Sequence, residues 1–322
     1  MPKKIEVKIN SVKLSDIQTS TKDFNVRLSD FGPELGAFLK NIWKLRNKFN
    51  LEDFEEGRWQ IYGQYSGQSA NKNYDYEQLK SFIKKILMHA DGRNVRAQGF
   101  KDKYLAEFKK KEIKTYGNAL WTDFFHVLGK KRRDDRVGSR VYVHAASSDA
   151  SLEIMKKIID QFDNLGLDAV KTVGPGSLRQ DTIVAYLYGS EDAAKLIKVL
   201  TEWKKPELFV DSLPPLIRKE GKGIGTADEP PSIRIDAEKR EEEEAKRHSF
   251  GSFYSILIWL ALKCTPNVTK KDKDQQAPDG RHMLDYMMHS LRMLDVDPAR
   301  PQSFPKADKL ERWYATFFES AD

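Results

Sequence analysis

The sequence predicts an α+β fold, in which a mostly helical N-terminal region precedes a mixed β-sheet flanked by helices. Three observations lead there. Apolar residues in the first third recur at helical spacing. From Arg140 onward the pattern changes to short runs of strict alternation. Those runs are interleaved with two striped helices, a β-α-β-β-α succession that suits one sheet with helices on one side.

Taken in order, the segment IEVKINSVKL alternates and reads as a strand or short hairpin. Phe31-Gly32-Pro33 punctuates the chain, and Leu35, Phe38, Leu39, Ile42, Leu45 and Phe49 then share one helical stripe. A turn-rich stretch follows. Leu79, Phe82, Ile83 and Leu87 form the stripe of a second helix, and a basic helical stretch and the aromatic segment ALWTDFFHVLG complete residues 1–135. The charged run Lys130 to Arg136 reads as an exposed linker, which places the second domain at residues 136–322. There, strands are expected at about 140–145, 168–173 and 181–188, with helices at about 150–164 and 190–203. The first helix is expected to be capped by Ser148 or Asp149. A Pro- and Gly-rich stretch, a Glu-rich solvated helix and three further helices, the first fully apolar, close the chain.

Composition narrows the classes of function. The 322 residues carry 55 Lys plus Arg against 48 Asp plus Glu, a net charge of +7. That balance is too mild to argue for nucleic acid. No apolar run approaches the roughly 18 residues of a membrane span, and no apolar stretch follows the basic N-terminus as in a cleavable secretory signal. The single cysteine, Cys264, excludes a disulfide framework and points to a reducing, cytoplasmic setting, with export by a type III route as the alternative. The glycines of GKGIG and VGPGS fit neither a Walker loop nor GxGxxG, and ordinary turns account for them. His282, Asp285 and His289 share a helix face, but their spacing is wider than the i, i+4 pair of a zinc helix, so no metal is expected.

The informative residues lie on the strands. Alternation puts Val141, Val143 and Ala145 on one face and Arg140, Tyr142 and His144 on the other. Lys171 falls on the second strand, Arg179 and Asp181 on the turn into the third, and Tyr186 and Tyr188 on the third itself. Arginines, a lysine, a histidine and tyrosines on paired strands have the composition of a phosphate-binding concavity. Lys219 and Lys222 in the Gly-rich stretch are second-choice contacts.

From Arg140 almost to the end the chain resembles the HopA-type effector family of plant-pathogen type III secretion, whose domain also occurs as the lyase of class V lanthipeptide biosynthesis. The resemblance is carried by RVYVHA, the Lys171 strand, LRQDTIVAYLY, PPLIRKEGKGIGTADEPP, SFG at Ser249 to Gly251, and LDVDPARP from Leu294 to Pro301, in that order. Phe253 and Tyr254 stand where the family usually has an Arg shortly after SFG. The resemblance implies elimination chemistry: a carbon–oxygen lyase removing phosphate from phosphoserine or phosphothreonine in a peptide or protein, with no cofactor. The order Arg140, His144, Lys171, Arg179, Tyr186 is also similar to that of bacterial phosphothreonine lyases. On that reading Lys171 is the base, His144 the acid, and Tyr186 a third catalytic group. Arg140, Tyr142, Arg179 and Asp181 then hold phosphate and substrate. A partner kinase would supply the phosphorylated peptide. The alternative is a non-catalytic effector or adaptor that docks a partner protein through the basic cleft.

Overall fold

A computed structural model describes residues 26–67, 76–93, 125–129, 138–175, 179–230, 249–263, 281–294 and 296–304. The chain forms two compact units, Met1–Tyr65 with Pro230–Asp322, and Ser66–Glu229. The expected boundary near residue 135, the Lys130–Arg136 run, the strand-like segment at residues 5–14, the basic helical stretch around residues 104–111, the Glu-rich insertion and the last expected helix, at residues 306–321, all lie outside the described residues.

The first unit is helical where described. Helix α1 (Pro33–Leu45) starts on a proline at its first position, where the missing N–H costs nothing. It buries Leu35, Phe38, Leu39 and Ile42 along the expected stripe. Helix α2 spans Phe54–Ser66. Gly251 admits the α2 tyrosines, since a Cβ there would lie 2.4 Å from the Tyr65 ring. The second half of this unit contributes α6 (Phe250–Lys263), buried on every side from Phe250 to Leu262, and α7 (Arg281–Met293), packed against it. Phe253 and Tyr254 belong to this core. Phe253 meets the Phe304 ring edge-on at 5.2 Å, and the Tyr254 hydroxyl donates to the Pro301 carbonyl at 2.6 Å. The first turns of α6 and the stretch from Pro301 to Phe304 thus share one packing contact.

The second unit holds the sheet. Helix α3 (Tyr76–Ala90) precedes strands β1 (Phe125–Leu128) and β2 (Ser139–Val143). Helix α4 (Ser148–Ile159), β3 (Leu167–Thr172), β4 (Ile183–Leu187), α5 (Ser190–Thr201), and the hairpin β5 (Arg218–Gly221) and β6 (Ile224–Asp228) follow. The α+β class is present, as are the strands expected at about 140–145, 168–173 and 181–188 and the helices expected at about 150–164 and 190–203. The α4 cap is Ser147 rather than Ser148 or Asp149: its hydroxyl accepts the Ala150 N–H at 3.1 Å. Three strands were not predicted. The Phe125–Leu128 run sits in a segment read as part of the helical region, yet it pairs along the outer side of β3. The GKGIG glycines do make a turn, but its flanks form the β5–β6 hairpin.

The strand order is β1-β3-β4-β2-β6-β5, and every hydrogen-bonded pair is antiparallel. The β2-α4-β3 connection leaves those two strands running the same way, as a crossover must, but β4 is inserted between them as an antiparallel neighbour of both. One face of the sheet carries Phe125, Val127, Val141, Val143, Val170, Ile183, Ala185 and Leu187. Against them pack Phe82, Ile83 and Ile86 of α3, Ile154, Met155 and Ile158 of α4, and Leu196 and Leu200 of α5. Each fully buried side chain of this size stabilises the fold by roughly 1.5–3 kcal/mol relative to exposure. Residues of the other parity point to the opposite face.

Candidate functional site

The opposite face is where the polar residues gather. Arg140 stands across from Tyr186, and Tyr142 and Lys171 both stand across from Val184, so the period-two rule puts the four on one face. Four of the predicted residues are therefore brought together. Lys171 lies on an interior strand, not on an edge, and is buried. Tyr186 is the centrepiece: the Arg140 guanidinium carbon is 5.0 Å from its ring centroid and the Lys171 ammonium 5.7 Å. Two cations on one ring raise the local positive potential, and the ring's negative faces offset part of the mutual repulsion.

Arg140 is the most engaged of these groups. It hydrogen-bonds the Tyr142 phenol, and its fork grips Glu229 through Nε at 2.5 Å and Nη2 at 2.6 Å. Burial works against its charge, but Tyr142, Tyr186 and Glu229 outweigh that penalty and hold it protonated. Burial also pushes the Tyr142 phenol well above its ordinary range. Arg179 forms a second bidentate pair, with Asp181, at 2.7 and 2.8 Å. The two pairs differ in access. The Glu229 side chain is 20% exposed, whereas that of Asp181 is 4%.

His144 lies one residue beyond the end of β2, where strict alternation stops applying. The Thr182 hydroxyl accepts from Ala145 N–H at 2.7 Å and donates to the Val143 carbonyl at 2.8 Å, which closes the strand. The His144 N–H donates to the Gly223 carbonyl, and its own carbonyl accepts from Val210. Its Nδ1 meets Ser212, at 3.1 Å from the carbonyl and 2.9 Å from the hydroxyl. Burial lowers the imidazole below its ordinary value, and the Ser212 carbonyl and the charge of Asp181 only partly offset this, so the unliganded ring is neutral at pH 7.

Lys219 and Lys222 are not part of this gathering. Both sit on the edge hairpin, where Lys219 pairs with Asp211 at 2.6 Å and Lys222 donates to the Pro206 carbonyl at 2.9 Å. Three residues of the site were missed in the sequence. Glu229 and Ser212 reach it from 89 and 68 residues away. His126, across from Lys171 on β1, is pushed down to about 4 by burial and by the Lys171 charge. Among the described residues no group of three His, Cys, Asp or Glu could hold a metal, and the His282 side chain lies outside them.

A family model for the HopA1 effector protein family matches residues 117–302. The chain belongs to that family. Among solved structures, this HopA1-family chain is similar to the effector protein from Pseudomonas syringae pv. syringae strain 61, with a TM-score of 0.53 and 16% identity over 87% of this chain and 100% of that one. It is also similar to the effector protein from Pseudomonas syringae pv. tomato strain DC3000, with a TM-score of 0.49 and 16% identity over 84% of this chain and 100% of that one. At that identity the first likeness shows a shared fold. No curated protein matches. No described helix is long and apolar enough to cross a membrane.

Proposed function

We propose that this HopA1-family effector acts on a phosphorylated serine or threonine side chain at the Arg140–Tyr142–Lys171–Tyr186 face, removing phosphate by β-elimination. The observation that carries the reading is the placing of two cations on one tyrosine ring, with a second tyrosine on the same face of the sheet. Lys171, after giving up its own ammonium proton to solvent, takes the α-proton on its free amine. The C–H electron pair becomes the new carbon–carbon double bond, the Cβ–O bond breaks, and phosphate leaves with that bond's electrons. Nothing is oxidised or reduced overall. His144 protonates the departing oxygen: arrival of a phosphate dianion raises the imidazole's affinity for a proton, charging a ring that is neutral without substrate. Tyr142 and Tyr186 orient the substrate.

The two arginines have different parts. Arg179 is fixed by the nearly inaccessible Asp181, whereas Arg140 exchanges the more accessible Glu229 for the substrate phosphate, because a guanidinium fork accepts either planar or tetrahedral oxyanions bidentately. The substrate is a phosphorylated protein met after type III delivery into a host cell, or a peptide phosphorylated by a partner kinase in the producing cell. Incubation with phosphothreonine peptides, followed by mass spectrometry for loss of the elements of phosphoric acid, tests the reading. Lys171→Ala and His144→Ala should each lower turnover by about a hundredfold or more while phosphopeptide binding persists. A wild-type protein that eliminates from no phosphopeptide removes the lyase assignment.

A second reading has its own support. Both arginine forks are engaged by carboxylates, as expected if the face only docks a partner protein. It predicts phosphopeptide or protein binding with no turnover.

A further inference from the structure

We infer that Ser212 is the positioning residue of His144. It accepts the imidazole's Nδ1–H with its carbonyl and hydroxyl oxygens together, so that Nε2 is the nitrogen offered to a ligand.

Three observations carry this. First, both Ser212 oxygens lie on the same ring nitrogen, at 3.1 and 2.9 Å. A carbonyl oxygen can only accept, so both contacts are hydrogen bonds together only when Nδ1 carries the proton, and in a neutral imidazole that leaves the lone pair on Nε2. Second, the main chain on both sides of the pair is held. His144 N–H donates to Gly223, and Val210 N–H donates to the His144 carbonyl, tying the strand end to the segment that carries Ser212. Gly223 has φ +62, and a Cβ there would lie 2.4 Å from the Val210 carbonyl oxygen, so only glycine lets the hairpin turn approach this crossing. Third, the same segment contains Leu216, fully buried at φ +73, a conformation leucine adopts only where its surroundings over-determine it. Strain of this kind marks a loop whose shape is set in advance of any ligand.

The catalytic consequence rests on the elimination reading: Nε2 is the atom that takes up the proton when phosphate enters and returns it to the leaving oxygen. The charged groups facing the ring are Asp181 and, paired with it, Arg179. The hydrogen-bonding contacts of Nδ1 are those of Ser212, so the tautomer is the work of Ser212.

The test uses the full chain with its histidines labelled with nitrogen-15, the His144 resonances being identified by their loss in His144→Gln. The wild type is expected to show the Nδ1–H tautomer at neutral pH. Ser212→Ala keeps one of the two acceptors, so the tautomer ratio should fall by about tenfold towards a mixture, and the imidazole should titrate lower. Ser212→Thr, which restores a hydroxyl, should restore both. An Nε2–H tautomer in the wild type overturns the inference, as does a Ser212→Ala spectrum and titration identical to wild type. Phosphothreonine turnover is measured on the same samples. A wild type with the Nδ1–H tautomer and no elimination removes the lyase reading alone, and elimination by a protein with the other tautomer removes this inference alone.

Discussion

Replacing Glu229 with Gln tests whether Arg140 is both a keystone of the sheet face and the group that receives phosphate. The change keeps the size of the side chain and removes its charge, leaving a guanidinium only 4% exposed without its bidentate counter-ion. Breaking a buried pair from one side costs roughly 3–5 kcal/mol, and because glutamine can still accept from one arm of the fork, about 3 kcal/mol is expected. In a unit of about 160 residues that corresponds to a melting temperature roughly 6–12 °C lower. Urea unfolding followed by circular dichroism measures the loss. Inorganic phosphate added at about a hundred times its Kd should return roughly 2.7 kcal/mol to the variant by occupying the vacated fork. It should do much less for the wild type, where Glu229 competes. A variant as stable as wild type would show that the ion pair does not hold this face. A destabilised variant that phosphate fails to rescue would show that Arg140 is structural only, and would favour the docking reading.

Gly223→Ala should destabilise the unit by roughly 2–4 kcal/mol, the left-handed backbone and the overlap with Val210 both contributing, and hydrogen exchange at the His144 and Val210 amides should accelerate accordingly. Asp181→Asn removes the bidentate counter-ion of the buried Arg179, so it should cost about 3 kcal/mol in urea unfolding. It should also lower the His144 titration further, because Asp181 is one of the groups that raise it. His126 has a depressed value of about 4 when folded, so the unfolded chain binds its proton first as pH falls. Its contribution is fully present above about pH 6.5 and is lost towards pH 4, by up to about 3 kcal/mol, and His126→Gln should flatten that part of the stability–pH curve.

Much of the sheet was legible because β2 alternates, β3 and β4 are short apolar-rich runs bounded by turns, and α4 and α5 carry single apolar stripes. Arg140, Tyr142, Lys171 and Tyr186 could be put on one face by parity alone. Strand β1 was not legible: four residues within an aromatic segment give too short an alternation, and only its register against β3 defines it. The β5–β6 hairpin was hidden by composition, since Arg218, Lys219 and Glu220 are exposed on an edge strand and carry no apolar pattern. His144 shows where the parity rule stops. The strand ends at Val143, and the ring's orientation is decided by Ser212, a partner that no local pattern announces. Glu229 and Asp181 mark a third limit. A sequence shows that arginines are present but not that carboxylates already occupy their forks.

The insertion of β4 between β2 and β3 also governs the order in which this unit can come into being. Neither of the earlier strands has its inner neighbour until Ile183–Leu187 is available, so a chain ending before Ile183 carries β2 with no partner from the central sheet and β3 paired only with β1. Such a fragment presents bare strand edges, the surfaces through which unfolded intermediates associate. A fragment extended to Glu229 contains all six strands and the counter-ion of Arg140. The last residue needed to complete the face is therefore also the last of its unit, and the site is assembled only when that whole segment of chain has been delivered.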